Sequence, residues 1–122
     1  MRKVNIETNK YTEVYAIDKK EFNANHEYQV KVIAPQACDI TEDEVFAKIK
    51  FQKGPVKENG VNGCQNEDLI NIVLDRLDAL NQGVFKCREN SIAITKLEEA
   101  LMWLRRRTYL REIRGVEGTS QE

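Results

Sequence analysis

Apolar and polar residues alternate along the first half of the chain with the two-residue period of a β-strand. In the clearest run, which Gly54 and Pro55 end, apolar side chains at positions 45, 47, 49 and 51 alternate with polar ones at 48, 50 and 52. Similar spacing in residues 4–16 and 27–34 predicts further strands, with a polar turn at residues 18–26 between them. We therefore expect three or four antiparallel strands that form a small sheet with one face in water.

The second half of the chain changes to the spacing of helices. Asn66 is a good N-cap residue, and the apolar positions after it recur every three or four residues until Gly83. A longer helix begins near residues 88–90 and ends at Gly115. Because residues 81–87 form a short connection, the two helices are predicted to be antiparallel neighbours. The expected buried stripes are Leu69, Val73, Leu77 and Leu80 in the first helix and Ala93, Leu97, Ala100, Leu101 and Leu104 in the second.

These patterns predict an α+β fold in which a small N-terminal antiparallel β-sheet is followed by a C-terminal antiparallel two-helix hairpin. At 122 residues the chain has the length of a single domain. Within it we place a β-rich part at 1–55, a turn-rich loop at 56–65, the hairpin at 66–114 and a frayed tail at 115–122. A two-helix hairpin has apolar positions on both flanks and few partners for them in so short a chain, so we expect a homo-oligomer.

Composition excludes several kinds of function. The net charge is −1, which argues against a protein that coats nucleic acid. His26 is expected at the surface, and Cys38, Cys64 and Cys87 are expected to be small buried side chains, since they form no metal-binding or disulfide pattern. No apolar run is long enough for a membrane helix or a signal peptide. We therefore expect a reduced cytosolic protein without metal, cofactor, membrane contact or catalytic residues.

The type of basic residue changes along the chain. Residues 1–63 carry nine lysines and one arginine, whereas residues 64–122 carry two lysines and seven arginines. On a helix, four of the later residues would share one face, namely Trp103, Arg107, Arg111 and Arg114. One interpretation is a solvated, helix-favouring face whose last arginines stabilise the negative end of the helix dipole. The other is a ligand site in which the guanidinium groups bind phosphates and the indole stacks on a ring.

The connection between the helices offers a second candidate surface. Phe85 lies in a mostly polar turn, close in sequence to Arg88 and Asn90. Phe85 could be a hydrophobic staple that packs on the second helix. Alternatively, the three side chains could provide a face for a base, a fork for phosphate and an amide for ribose hydroxyls, which are the needs of a nucleotide site.

Longer stretches of the second half resemble a known family. They are NGVNGCQNEDLINIVLDRL, then FKCRENSIAITKLEEALMWLRRRT, and finally RGVEGT, within residues 59–119. The most specific parts are QNEDL at 65–69, CREN at 87–90 and TKLEEALMWL at 95–104. Together they resemble the helical-hairpin domain shared by phage Thoeris anti-defence and anti-CBASS proteins. The β-rich segment before the hairpin is similar to the Thoeris anti-defence branch.

The resemblance implies a sponge, which is a protein that binds an immune signalling nucleotide and keeps it from its effector without cleaving it. For the Thoeris branch the ligand would be a cyclic ADP-ribose isomer, glycocyclic ADP-ribose, made by a TIR-domain enzyme in the host cytoplasm. Cyclic dinucleotides or trinucleotides made by CBASS cyclases are a further possibility, at the same or a separate site. The family is oligomeric, with pockets between protomers, which agrees with the homo-oligomer expected from the small core.

The site hypothesis combines both candidate surfaces. The candidate ligand-binding residues are Phe85, Arg88, Asn90, Arg107 and Arg111, with Asn62, Gln65 and Asn66 as weaker candidates. The phenyl ring would stack on a base, and the residues at 88 and 90 would bind phosphate and ribose. The two later arginines, contributed by a neighbouring protomer, would bind phosphate. Two other classes of function stay open. One is a small nucleic-acid-binding protein that uses the arginine-rich helix, and the other is an adaptor whose hairpin packs on the helices of another protein.

Overall fold

A computed structural model describes residues 1–4, 10–33 and 45–120 of the chain. The expected strand residues Ile6 and Ala34 and the cysteine Cys38 lie outside these described residues. The elements are, in chain order, β1 (Arg2–Lys3), β2 (Thr12–Ala16), β3 (Glu27–Val32), β4 (Val45–Lys50), α1 (Val56–Asn59), α2 (Asn66–Leu80), a 3-10 turn (Gly83–Phe85) and α3 (Arg88–Ile113). They fall into two compact units, the sheet unit Met1–Cys64 and the hairpin unit Gln65–Glu122. The predicted α+β fold is confirmed.

The four strands form one antiparallel sheet in the order β1-β2-β3-β4. Val14 on β2 is paired with Val30 on β3, which is paired with Ala47 on β4, so apolar side chains line up on one face. On the other face, Gln29 of β3 is paired with Tyr15 and Lys48. The predicted antiparallel sheet is confirmed, and along β4 partly buried and exposed residues alternate as the two-residue period requires.

The turn between β2 and β3 is organised by the carboxylate of Asp18. It accepts the backbone N–H groups of His26 at 3.0 Å and Glu27 at 3.2 Å, and the side-chain amide of Asn25 donates to it at 3.1 Å. His26 is buried, with 8% of its surface exposed, and its Nε2 lies 2.6 Å from the carbonyl oxygen of Glu21. The expectation of a surface histidine is therefore wrong, because the turn supplies a polar partner that allows the imidazole to be buried.

The two long helices, α2 and α3, pack on each other as the predicted hairpin. Leu101 of α3 is buried, with 4% of its surface exposed. Asn81 joins the helix ends, since its amide donates to Ser91 Oγ at 3.0 Å and accepts the Cys87 N–H at 3.0 Å. No helix in the described part of the chain is long and apolar enough to cross a membrane.

Two details predicted for α2 are wrong. Gln65 rather than Asn66 is the N-cap, and its backbone N–H donates to the carboxylate of Asp68 at 2.8 Å. Of the predicted stripe, Leu69 and Leu77 are partly buried as expected, whereas Val73 and Leu80 are each 47% exposed and positions 70, 74 and 81 are less exposed instead. The buried side chain next to the predicted Leu80 is that of Asn81, whose amide is satisfied by its hydrogen bonds.

The chain folds back after α3. Gly115, with φ of +74°, ends the helix as predicted, and its N–H and that of Val116 each donate to a carbonyl oxygen of the last turn at 3.0 Å. This pair of bonds is a Schellman motif. Val116 is only 8% exposed. The prediction of a frayed tail is therefore wrong for residues 115–120, and residues 121–122 lie outside the described part.

Candidate functional site

The C-terminal end of α3 carries an open groove of about 340 Å³. We name it the arginine groove, and its lining residues are Trp103, Arg106, Arg107, Leu110, Arg111 and Arg114. Successive members lie one or three positions apart, so they share one side of the helix. The structure thus brings together the tryptophan and the three arginines that the spacing placed on one face. Arg106 and Leu110 were missed, although extending that face to its i+3 and i+4 neighbours would have found both.

The arginine groove combines apolar surface with positive charge. Trp103 is 59% exposed and Leu110 is 43% exposed, so their side chains face outward. None of the four groove arginines forms an ion pair with another described residue. A guanidinium can donate two parallel hydrogen bonds to a phosphate, and an exposed indole can stack on a flat ring. The groove therefore suits an anionic ligand that carries a ring.

Arg111 differs from the other groove arginines because part of its guanidinium is already bound. Its Nη2 donates to the carbonyl oxygens of Val116 at 3.1 Å and Thr119 at 3.0 Å. Arg111 is partly buried, whereas the other three are exposed. Within the described residues, the groove arginines with no side-chain hydrogen bond are Arg106, Arg107 and Arg114.

The second candidate surface lies between α2 and α3, and we name it the hairpin tip: Val84, Phe85, Arg88 and Asn90. Val84 is 93% exposed and Phe85 is 76% exposed. Phe85 therefore does not pack on the second helix of its own chain, and the staple interpretation is wrong. Cys87 is exposed rather than buried, because it is the N-cap of α3 and its Sγ accepts the Asn90 N–H at 3.4 Å.

The hairpin tip and the arginine groove lie far apart along α3. Nineteen positions separate Arg88 from Arg107 within this continuous helix, which corresponds to about 28 Å at the rise of an α-helix. One chain therefore does not bring the tip residues together with Arg107 and Arg111. A single nucleotide could contact both surfaces only if they came from two copies of the chain.

Asn62 lies in the sheet unit and holds the loop after β4. Its amide donates to the carbonyl oxygen of Lys53 at 2.9 Å and accepts the Lys53 N–H at 2.8 Å, and its own N–H donates to Gln52 Oε1 at 3.0 Å. It also lines a small cavity of about 200 Å³ with His26 and Lys50. Both amide atoms of Asn62 therefore have partners within the loop. Cys64, at the end of this loop, is only partly buried.

Gln65 and Asn66 begin α2. Because the helices are antiparallel, both residues lie at the same end of the hairpin as the arginine groove, but neither lines it. A separate hollow of about 410 Å³ between the helices is lined by the carboxylates of Asp75, Asp78 and Glu98, which would repel a phosphate. Among the described residues, no group of three or more side chains is arranged to hold a metal ion. Of these two hollows of the hairpin unit, the arginine groove is the one suited to an anion.

Comparison with known proteins gives the family of the chain. A family model described as "Acb2/Tad1, hairpin domain" matches residues 43–109, which include β4 and most of the two long helices. A protein of Bacillus phage SBSphiJ7 named "Thoeris anti-defense 1" is 44% identical over 124 residues, covering 86% of this chain and 85% of its own length. The resemblance found from the sequence motifs is confirmed. The chain belongs to the Acb2/Tad1 hairpin-domain family.

Proposed function

We propose that this protein is a phage anti-defence protein that works as a sponge. It binds a cyclic ADP-ribose isomer, glycocyclic ADP-ribose, made by TIR enzymes of Thoeris immunity, and holds it uncleaved in the host cytoplasm. The family match and the identity to a phage protein named Thoeris anti-defense 1 support the anti-defence role. The observation that carries the choice of ligand is the arginine groove, since a cyclic ADP-ribose combines a pyrophosphate with a flat base.

A sponge needs high affinity, which a closed pocket favours more than an open groove. A sponge acts by stoichiometry, and nanomolar binding corresponds to about −12 kcal/mol. A charge-assisted hydrogen bond contributes about 1.5–3 kcal/mol, and a base stacked on an aromatic ring contributes about 1–3 kcal/mol. Water competes for these contacts in an open groove, so a second surface that closes over the ligand would strengthen each of them.

We place that second surface on the hairpin tip of another copy. At the tip, Phe85 would stack on the base, and Arg88 and Asn90 would bind the phosphate and ribose edges. The neighbouring copy would contribute Arg107 and Arg111, which would bind phosphate. The separation of tip and groove, about 28 Å along one helix, supports this arrangement over a pocket within one chain. The 76% exposure of Phe85 supports it as well, because an aromatic side chain left outside its own core is suited to bind a partner or ligand.

Exposed apolar side chains along the hairpin support association of several copies. Away from the hairpin tip and the groove, the most exposed of them are Ile72 and Ile113 at 64% each, Tyr109 at 58% and Met102 at 54%. A soluble monomer seldom leaves so many large apolar side chains in water on a single supersecondary unit. We therefore propose a homo-oligomer in which this surface is covered by other copies.

Cyclic dinucleotides or trinucleotides of CBASS are a second proposed class of ligand. The observation that favours them is that tip and groove each combine an arginine with an exposed aromatic ring, Phe85 at the tip and Trp103 in the groove. Because the proposed pocket uses tip and groove together, it would serve both classes of nucleotide. Saturating cyclic ADP-ribose should therefore compete with a cyclic dinucleotide in a titration, whereas undiminished binding of the dinucleotide would indicate a separate pocket.

Mixing two inactive variants tests the proposed pocket between copies. Phe85→Ala removes the ring at the tip, and Arg107→Ala removes a groove arginine. Each variant alone should lose most binding of cyclic ADP-ribose. In oligomers assembled from both variants, about a quarter of the pockets should combine an intact tip with an intact groove and recover full affinity.

The readout is isothermal titration of the co-expressed oligomers, in which the number of tight sites is measured directly. Oligomers of either variant alone are the controls, and their melting temperatures should match that of the unmodified protein because both side chains are exposed. Recovery of tight sites in the mixture is the expected result. Loss of binding in both variants without any recovery in the mixture would contradict a pocket shared between copies.

A further inference from the structure

We propose that the C-terminal turn, residues 114–120, is a positioning element of the arginine groove. It holds the guanidinium of Arg111 in one orientation, so that its remaining donors are presented to an anionic ligand before that ligand arrives. The inference rests on the proposed function, because it identifies the segment that fixes one arginine of the proposed site.

The hydrogen bonds of Arg111 are the first observation. Its Nη2 donates to the carbonyl oxygens of Val116 and Thr119, at 3.1 and 3.0 Å. The hydroxyl of Thr119 also donates to the carbonyl oxygen of Val116, at 2.6 Å. The guanidinium is thus bound by two carbonyl oxygens of one turn, and the Thr119 hydroxyl links the two residues that provide them. An exposed arginine without such partners would sample several rotamers.

The turn itself is held by features that do not involve the ligand. Gly115 adopts a φ of +74°, which lets the chain reverse directly after α3. The Val116 N–H donates to the carbonyl oxygen of Arg111 at 3.0 Å, and the Val116 side chain is only 8% exposed. The same residue therefore anchors the turn to the helix through its N–H and binds the guanidinium through its carbonyl oxygen.

Because the guanidinium is planar, anchoring one of its nitrogens fixes the directions of the donors that remain for a ligand. Arginine has five N–H donors in a rigid plane, and the two on Nη2 are used by the turn. The three donors on Nη1 and Nε are left for a ligand, and the plane fixes their directions. A side chain that is already ordered does not lose its rotamer freedom on binding, which improves affinity by roughly threefold to tenfold.

Two substitutions at Gly115 form a matched pair. A Cβ at this position would meet nothing within 4 Å, so neither asparagine nor valine is excluded by contacts. Asparagine tolerates the left-handed conformation, whereas the β-branched valine does not. Gly115→Val should therefore release the turn, and Gly115→Asn should keep it.

Binding is measured with two probes, cyclic ADP-ribose and inorganic pyrophosphate. The fluorescence of Trp103, the single tryptophan of the chain and a lining residue of the groove, reports both. Gly115→Val should weaken binding of each probe by roughly threefold to tenfold, and Gly115→Asn should stay within about twofold of the unmodified protein. The ¹⁵N spectrum of the arginine side chains should show slow rotation of the Arg111 guanidinium in the unmodified protein and in Gly115→Asn, but not in Gly115→Val.

The outcomes separate the two proposals. If cyclic ADP-ribose does not bind but pyrophosphate binds and shows the expected difference, the proposed function fails and the positioning role stands. Equal affinities in both variants, with the Arg111 signal changed only in Gly115→Val, would overturn the positioning role while leaving the proposed function intact. Failure of the unmodified protein to bind either probe would overturn both.

Discussion

Replacing Arg107 by alanine tests whether the arginine groove binds the phosphates of the ligand. The Arg107 side chain is exposed, lines the groove and forms no ion pair with another described residue. Arg105→Ala is the matched control, because Arg105 is also exposed on α3 and has the same charge but does not line the groove. The two variants therefore change the net charge equally and differ only in the proposed contact.

The expected magnitude follows from the bond that would be lost. Loss of a charge-assisted hydrogen bond costs about 1.5–3 kcal/mol, which corresponds to a rise in Kd of about tenfold to 150-fold. The change in net charge is common to both variants, and dissolved salt screens its effect beyond about 8 Å at physiological ionic strength. Arg105→Ala should therefore raise Kd by less than about threefold.

Isothermal titration with cyclic ADP-ribose measures both variants against the unmodified protein, and thermal melting without ligand checks the fold. Because both side chains are exposed, the free energy of unfolding should change by no more than about 0.5 kcal/mol in either variant. Equal losses of affinity in the two variants would mean that the groove attracts the ligand only through its net charge. An unchanged Kd in Arg107→Ala would refute the contact itself.

Three further predictions concern stability. Leu101→Ala should lower the free energy of unfolding by about 2–5 kcal/mol because the Leu101 side chain is only 4% exposed. Glu99→Ala, at an exposed position, is the control and should change it little; urea denaturation measures both variants. Asn81→Ala should cost about 1–3 kcal/mol in the same assay, since the partners of a buried amide lose their bonds, and an unchanged midpoint would refute its bridging role. Burial raises the pKa of Asp18, but hydrogen bonds led by the His26 N–H lower it more, so the pKa lies below its ordinary value. The stability from these bonds is present above the ordinary pKa of about 3.9 and is lost as the pH falls through the lowered pKa; Asp18→Asn should remove this acid-dependent loss in urea melts across pH 2–7.

The sequence pattern predicted the position of most elements better than the residues that they bury. The alternation around Ala47 identified β4, and the spacing of Leu97, Leu101 and Leu104 identified the inner side of α3. In α2, by contrast, apolar residues occur on more than one side, so their period did not select a face. The polar bridge of Asn81 was not predicted either, because its partners Cys87 and Ser91 lie six and ten positions later in the chain and cannot be identified from local spacing.

The sequence likewise predicted only part of the candidate site. Helical spacing was enough to place Trp103 and the arginines on one side of α3. It could not predict the partners of Arg111, because they are backbone carbonyls that become available only after the chain reverses at Gly115. The exposure of Phe85 was also beyond local rules, since a staple and an outward aromatic have the same sequence signature.

Release of an intact ligand is the most direct test of the proposed sponge. Purified protein is incubated with a lysate that contains the product of a TIR enzyme, washed, and denatured by heat, and the released nucleotide is identified by mass spectrometry. We predict recovery of an unmodified cyclic ADP-ribose isomer in proportion to the protein, with much less from Arg107→Ala. A hydrolysed product would identify an enzyme instead, and the absence of any nucleotide would contradict sequestration.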